Sequence, residues 1–314
     1  MRAMVLAAGF GTRLAPLTNL RPKCLMPVGR RTLLGLWLER LAGWGVGSAV
    51  VNTHHLAEKV RARLEQGWPG LEVMESFEPE ILGTGGGVVA AQAALGENPF
   101  LLLNADVITS AQLPPLLDAL RSADAVAVTG LKNDPRFNTV AVDGNARVLG
   151  FKGDLGLPAD ASWLTYTGLA AIHPRLLKYL PPSGHSSLVL GLRNAIIAGE
   201  TVLGLELDGF WDDLGTPERL LLLHRDLARG ALPEIATLVG KGPFWLENDA
   251  QIARDANLHG FVLAGRGVRV DKGALVKNSL LLPGARVQAG VGVENAVLGD
   301  GFVARGNIKG GAHA

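Results

Sequence analysis

Leu6-Ala7-Ala8-Gly9-Phe10-Gly11-Thr12-Arg13-Leu14-Ala15-Pro16-Leu17-Thr18 runs directly off the first apolar stretch of the chain, Ala3 to Ala7. A short apolar run reads as a buried strand. The glycines that follow it let the backbone turn sharply and bring N–H groups close to an anion, where a Cβ would obstruct. The pattern is that of a phosphate cradle. It is not a Walker A loop, because no Gly-Lys-Ser/Thr follows at the required spacing, and not a dinucleotide fingerprint, because Leu14 stands where the third glycine should be. Further on, Lys23 lies in Pro22-Lys23-Cys24-Leu25-Met26-Pro27-Val28. A planar guanidinium such as that of Arg13 can grip two phosphate oxygens at once, and a lysine supplies a movable point charge. Together they suit a polyphosphate whose charge redistributes during reaction.

Outward from this segment, residues 1–228 alternate short apolar runs with longer stretches of helical spacing, the pattern of βα units around a mostly parallel sheet. Strands are expected at Ala3–Ala7, Ser48–Asn52, Leu71–Ser76, Phe100–Asn104 and Ala125–Thr129, and helices at Leu33–Trp44, Leu56–Glu65, Gly87–Leu95 and Leu113–Leu120. An open α/β sheet places ligands at the carboxyl ends of its strands. The stretch from Val140 to Leu207 is less regular, with Asp143-Gly144 reading as a turn between two strands; it is expected to wall the substrate side. A helix from Pro217 to Arg229 closes this domain.

After a linker at 229–248 the texture changes. Apolar residues recur at six, with Val270, Val276 and Leu282 in one row and Leu281, Val287 and Val293 in another, slipping to five at Leu298. Hexapeptide periodicity of this kind marks a left-handed parallel β-helix, here short, over residues 249–310. So few coils need support from the main domain or another subunit, and a homo-oligomer is expected. The fold class is therefore α/β, a Rossmann-like mostly parallel sheet followed by a short left-handed β-helix.

Composition narrows the function classes. Thirty Lys and Arg against 29 Asp and Glu give a net charge of +1 without a basic block, which disfavours a nucleic-acid partner. The single cysteine, Cys24, excludes an internal disulfide framework and a multi-cysteine zinc site. The apolar run after Arg2 is too short for a signal h-region, and no stretch approaches the roughly 20 apolar residues of a membrane span. A cytoplasmic protein with no membrane partner is expected.

Leu-Ala-Ala-Gly-x-Gly-Thr-Arg-Leu-x-Pro-Leu-Thr with Pro-Lys-x-Leu-x-Pro-Val resembles the signature of the sugar-nucleotide pyrophosphorylase, or sugar-1-phosphate nucleotidylyltransferase, family over residues 1–228. The resemblance implies that an NTP and a sugar 1-phosphate combine, with Mg²⁺, to give a nucleotide sugar and pyrophosphate. It assigns the nucleotide to Ala7, Ala8, Gly9, Gly11, Thr12 and Arg13, and the reacting phosphates to Lys23. Asp106, after the strand Phe100–Leu103, resembles the strand-end aspartate that binds Mg²⁺. Asp213 matches the family's Trp-x-Asp-x-Gly-Thr pattern as the second metal ligand, with Asp212 its rival if the register slips by one. Arg13, Lys23, Asp106 and Asp213 are thus the expected catalytic set. Gly83, Thr84 and Gly85, in Leu82-Gly83-Thr84-Gly85-Gly86-Gly87, resemble a loop that meets base and ribose.

On the sugar side, Lys152 resembles the lysine of a family Glu-Lys pair, although Phe151 replaces the acid, and Thr167-Gly168 resembles a strand that backs the sugar pocket. His54 and His55 lack metal-ligand partners at useful spacing. Base and sugar stay open: the triple glycine and Phe210-Trp211-Asp212-Asp213-Leu214-Gly215-Thr216 look close to uridylyltransferases of N-acetylmuramate 1-phosphate, while the β-helix is shared with mannose-1-phosphate guanylyltransferases and glucose-1-phosphate enzymes that use UTP or dTTP. The alternatives are a cytidylyltransferase for phosphocholine or another alcohol phosphate, and a non-catalytic nucleotide-sugar-binding homologue. The tail, with only His259 and His313, offers little for an acyltransferase site and suits assembly or regulation.

Overall fold

The computed structural model describes residues 1–314, which group into two compact units. One, the sheet unit, comprises Met1–Gly9 and Trp37–Trp211; the other, the coil unit, comprises Phe10–Leu36 and Asp212–Ala314.

The sheet unit is built on a nine-stranded sheet. Its strands are β1 (Arg2–Leu6), β2 (Ser48–Thr53), β3 (Glu72–Phe77), β4 (Phe100–Asn104), β5 (Ala127–Lys132), β6 (Val140–Val142), β7 (Val148–Phe151), β8 (Ser162–Ile172) and β9 (Val202–Glu206). The order is β7-β6-β8-β4-β1-β2-β3, with β5 paired to β8 and β9. β1, β2, β3 and β4 run parallel, and β9 is parallel to β5. β8 runs antiparallel to β4, β5 and β6, which makes the sheet mixed where the sequence pattern suggested mostly parallel pairing. The parallel strands β1 and β4 are almost wholly buried, as continuous apolar runs flanked by helices must be. Met4, Val50, Phe100, Leu102, Val126 and Ile172 share one core with Leu176, Leu188 and Leu192.

Helices α1 (Leu33–Gly43), α2 (Ala57–Leu64), α3 (Gly83–Ala90), α4 (Pro114–Ser122) and α5 (Leu188–Ile197) alternate with these strands. The expected strands and helices fall within a few residues of these bounds, with one informative exception. The glycine run expected as a loop ahead of a helix is itself the helix: Gly83 to Gly87 form the first half of α3. The 143–146 turn is present, closed by Asp143 N–H to Arg147 O at 3.0 Å.

In the coil unit, strands stack in parallel along the chain. Phe244–Leu246, Asn257–Ala264, Leu275–Leu281 and Gly292–Glu294 form one column, and Gln251–Ile252, Arg269–Val270, Arg286–Val287 and Val303–Ala304 another. Residues that stack, such as Leu258 on Val276 and Val276 on Val293, lie 18 and 17 positions apart at equivalent places on successive coils, so the six-residue rows in the sequence run around each coil of a parallel β-helix. Val270, Val276, Val287, Val293 and Leu298 all point into its interior cluster. Its corners recur too: Asn278 and Asn295 share left-handed backbone and join through Asn278 Nδ2–H to Asn295 Oδ1 at 3.1 Å. Residues 229–248, expected as a linker, hold a helix at Pro233–Val239 and the first stacked strand.

Helix α6 (Pro217–Ala228) lies against the Asn257–Ala264 and Leu275–Leu281 strands. Buried His224 joins these parts: Nδ1–H donates to Leu220 O at 2.7 Å, Nε2 accepts from Gly29 N–H at 3.1 Å, and the ring meets Trp245 edge-on at 5.2 Å. Burial pushes its imidazole down from 6.5 to about 4, so it is neutral and its two nitrogens have fixed roles.

Candidate active site

In the sheet unit, the expected residues gather at one edge of the sheet. Leu6 lies in register with Asn104 on one side and Asn52 on the other, so Ala7–Gly9 and Ala105-Asp106 leave the carboxyl ends of neighbouring parallel strands. This is where an α/β sheet presents a ligand. Ala105 N–H donates to Leu6 O at 3.0 Å and ties the two exits together. Asp106 is half-buried in the tight turn after β4, well before α4 begins, so it is not that helix's cap. Thr167 and Gly168 come to the same edge on antiparallel β8. Gly168 has φ +77°, and an added Cβ would lie 2.6 Å from Asn104 Nδ2. Thr167 is buried, its hydroxyl donating to Gly130 O at 2.7 Å, while its carbonyl accepts from Trp211 Nε1–H at 2.9 Å. The side chain and the carbonyl of Thr167 therefore both support the fold. The neighbouring Tyr166 hydroxyl is buried without a hydrogen-bond partner, and burial raises its phenol pKa.

The glycines of α3 answer to packing. A Cβ on Gly85 would reach 2.8 Å from Leu180 Cδ2 and Ser187 C, and one on Gly86 would reach 2.3 Å from Gly184 O. The N–H groups of Gly85 and Gly86 both donate to Ser186 O, at 2.8 and 3.3 Å. Thr84 is exposed, yet its hydroxyl oxygen accepts from Leu188 N–H at 2.9 Å at the start of α5. Segment 184–188 thus seats on the first turn of α3, and Gly83, at φ +70°, makes the bend into that helix.

Lys152 is exposed, and Phe151, standing where the resemblance has an acid, is buried. A carboxylate does occur nearby: Asp154 Oδ2 accepts from Phe151 N–H at 2.7 Å, and Oδ1 pairs with Arg193 at 2.9 Å. A separate cleft of about 600 Å³, lined by Leu131, Val142, Trp163 and Glu206, contains none of the expected site residues.

In the coil unit, two stretches 200 residues apart in sequence converge. Gly11 (φ +65°) accepts through its carbonyl from Leu14 N–H at 2.8 Å and from the Thr18 hydroxyl at 3.1 Å. An added Cβ there would lie 2.9 Å from Thr18 Cγ2 and 3.0 Å from Lys23 Cβ, so only glycine lets the turn close against half-buried Lys23. Exposed Arg13 reaches across to Asp213, Nη2 to Oδ2 at 3.3 Å, with its guanidinium above Gly215; a Cβ on Gly215 would lie 2.6 Å from Nη2. The glycine of Trp-x-Asp-x-Gly-Thr is therefore the floor under Arg13.

Asp213 Oδ1 also accepts from Arg219 Nη1 at 2.8 Å, and the same nitrogen binds buried Asp212. Thr216 caps α6 by accepting from Arg219 N–H at 3.4 Å. Asp212 is thus tied inward, and Asp213 is the more accessible of the two carboxylates. Arg219 was not singled out in the sequence, although an arginine in the first turn of a helix just after two aspartates is a readable signal. Arg21 was likewise passed over; it forms a two-pronged pair with Asp300 of the β-helix, both contacts at 3.0 Å, and donates to Leu25 O at 3.2 Å.

Comparison with known proteins fits this arrangement. A family profile described as Nucleotidyl transferase matches residues 2–230. Mannose-1-phosphate guanylyltransferase of Mycobacterium tuberculosis is 30% identical over 298 residues, covering 93% of this chain and 82% of that protein. N-acetylmuramate alpha-1-phosphate uridylyltransferase of Caulobacter vibrioides is 35% identical over 244 residues, covering 72% of this chain and 96% of that protein. UTP–glucose-1-phosphate uridylyltransferase of Synechocystis is 26% identical over 322 residues, 95% of this chain and 82% of that protein. The chain belongs to the nucleotidyl transferase family, and it is a sugar-1-phosphate nucleotidyltransferase with a β-helix tail. No helix is long and apolar enough to cross a membrane.

Proposed function

We propose that the chain transfers a nucleoside monophosphate from an NTP to a sugar 1-phosphate, using the residues that the signature segment and its two downstream aspartates supply. The observation that carries this reading is Arg13 resting on Gly215 beside Asp213, which joins the first and last of the motifs within one unit. A phosphate oxygen of the sugar 1-phosphate attacks the α-phosphorus in line; the new O–P bond forms as the bond to the β-phosphate oxygen breaks, and pyrophosphate leaves. No protein nucleophile is required. Both reactants are anionic, so the protein's task is to align them and neutralise charge. Arg13 and the Gly9–Thr12 backbone hold the triphosphate, and Lys23 meets the reacting phosphates.

Asp106 and Asp213 are the carboxylates proposed for the divalent cation typical of the family. No group of three or more His, Cys, Asp or Glu stands ready for a metal. Mg²⁺ needs no such cage, since it is held by one or two carboxylates with substrate phosphates and water. The residues fit that pattern: Asp106 is half-buried at a strand exit, and Asp213 Oδ2 has only the long contact to exposed Arg13. The ion would neutralise charge on the phosphates.

Two pairings are favoured by different observations. Uridylyl transfer to N-acetylmuramate 1-phosphate is supported by the 35% identity to a relative matched over 72% of the chain, and guanylyl transfer to mannose 1-phosphate by a relative matched over 93% of it. Pyrophosphate release measured for UTP, dTTP, GTP, CTP and ATP against mannose, glucose and N-acetylmuramate 1-phosphates, with phosphocholine as the non-sugar acceptor, separates them. Turnover with phosphocholine alone, or nucleotide binding without turnover anywhere, defeats the proposal.

A further inference from the structure

Glu78 has no exposed surface, and both its carboxylate oxygens are used. Oε1 accepts from Asn52 Nδ2–H at 2.7 Å and Oε2 from Leu82 N–H at 2.9 Å. Asn52, also buried, accepts in turn through Oδ1 from Ala7 N–H at 2.7 Å. Three hydrogen bonds therefore run in series from Ala7, where β1 opens into the glycine turn, to Leu82, where the chain bends into α3. The ends of Glu78 are fixed as well: its N–H donates to Thr53 O at 2.8 Å, and its carbonyl accepts from His54 Nδ1–H at 2.8 Å. α3 lies directly on the relay, because a Cβ on Gly87 would stand 2.7 Å from both Asn52 Nδ2 and Glu78 Oε1.

A carboxylate removed from water is destabilising unless its partners are well placed. This one holds Leu82 N–H directly and Ala7 N–H through Asn52, at the starts of the two stretches, Ala7–Gly9 and Gly83–Gly85, that the family resemblance assigns to the nucleotide. We infer that Asn52 and Glu78 are positioning residues for the triphosphate: they hold the glycine turn and the first turn of α3 in register, and so set nucleotide affinity. The inference rests on that functional reading.

The relay has a polarity that can be reversed. In Glu78→Gln the new amide must face either Leu82 N–H or Asn52 Nδ2, and turning Asn52 over to suit it would set its own amide against Ala7 N–H. In Asn52→Asp two carboxyl groups face each other. Combined, the substitutions restore every bond: the carboxylate now at position 52 accepts from Ala7 N–H and from the amide now at position 78, whose oxygen accepts from Leu82 N–H.

The test measures binding of UTP, GTP and dTTP with Mg²⁺ by calorimetry, kcat and KM for the triphosphate that turns over, and the Tm of each protein without nucleotide. Each single variant is expected to weaken binding and raise KM about tenfold, the effect of one misplaced buried hydrogen bond, with kcat changed less than about threefold. The double variant is expected to return close to the parent. Should Glu78→Gln fail to fold, Glu78→Asp, which keeps the charge and shortens the reach, is read in the same way. Parental turnover together with single variants that keep parental KM, or that lose only Tm, overturns the inference alone. A parent that neither binds nor turns over any triphosphate overturns the functional reading and this inference with it.

Discussion

Arg13 Nη2 stands 3.3 Å from Asp213 Oδ2 across 200 residues of sequence, and the backbone of Gly215 lies under the guanidinium. The guanidinium is the mobile end of a long, exposed side chain, so a methyl group placed beneath it displaces Arg13 and little else. Gly215→Ala is therefore expected to reduce pyrophosphate release about tenfold or more while Tm moves by only a few degrees. Parental kinetics in the variant would remove Arg13 from the triphosphate site.

Asp106→Asn and Asp213→Asn each remove a negative charge without changing shape. Loss of a preorganised charge at a reacting centre lowers kcat by roughly 10²–10³, and both variants should need more Mg²⁺ for half-maximal rate. The check is pyrophosphate release over a Mg²⁺ titration, with circular dichroism to establish the fold. Full activity in Asp106→Asn would sink the metal assignment.

Stability should fall in acid because of His224. In the unfolded chain an imidazole takes up its proton near 6.5, whereas buried His224 resists until about 4. Between those values the unfolded state binds the extra proton, so this residue's contribution is complete above about pH 6.5 and declines as the pH drops towards 4, at up to about 1.4 kcal/mol per pH unit. Urea unfolding at pH 7 and pH 5 should show this decline, and His224→Gln should flatten it while lowering stability at neutral pH. An unchanged slope in the variant would assign the acid sensitivity elsewhere.

Arg21 and Asp300 pair with little of either side chain exposed. Asp300→Ala is expected to lower stability by about 1.5–3 kcal/mol, the range for hydrogen bonds to charged groups, and the exchanged pair Arg21→Asp with Asp300→Arg should recover part of it. Truncation near residue 240 goes further, since it takes Asp300 from Arg21 and Trp245 from His224 together. Slower pyrophosphate release and a changed oligomeric state, read from the molar mass by light scattering, are expected. If neither changes, the tail has no role in assembly or in placing the Pro22-Lys23 segment.

Much of this architecture was readable in the chain. Apolar runs marked β1, β2 and β4 because buried parallel strands carry no alternation, and the six-residue rows marked the β-helix because each coil must bury the same positions as its neighbour. Of the Ser162–Ile172 strand only Thr167-Gly168 was legible, through the resemblance: it mixes Thr, Tyr, Gly and Ala, and its direction is set by the strands it joins. The triple glycine was visible, but its cause was not. A glycine required by the carbonyl of Gly184 looks, in sequence, the same as one required by a ligand. Asn52, Glu78, Arg21 and Arg219 were missed for a related reason, as each acts on a partner that only the folded chain brings near.

The carbonyl of Ser186 occupies two N–H groups in the first turn of α3. That helix start is already neutralised from within, and it can offer a nucleobase a flat, close surface more readily than it can hold a phosphate. On the proposed function, selectivity for one base over another is then shared between two segments about a hundred residues apart. On that reading, redesign for a different nucleotide has to treat α3 together with 184–188, because a side chain added at Gly85 or Gly86 runs into Ser186, Ser187 or Gly184.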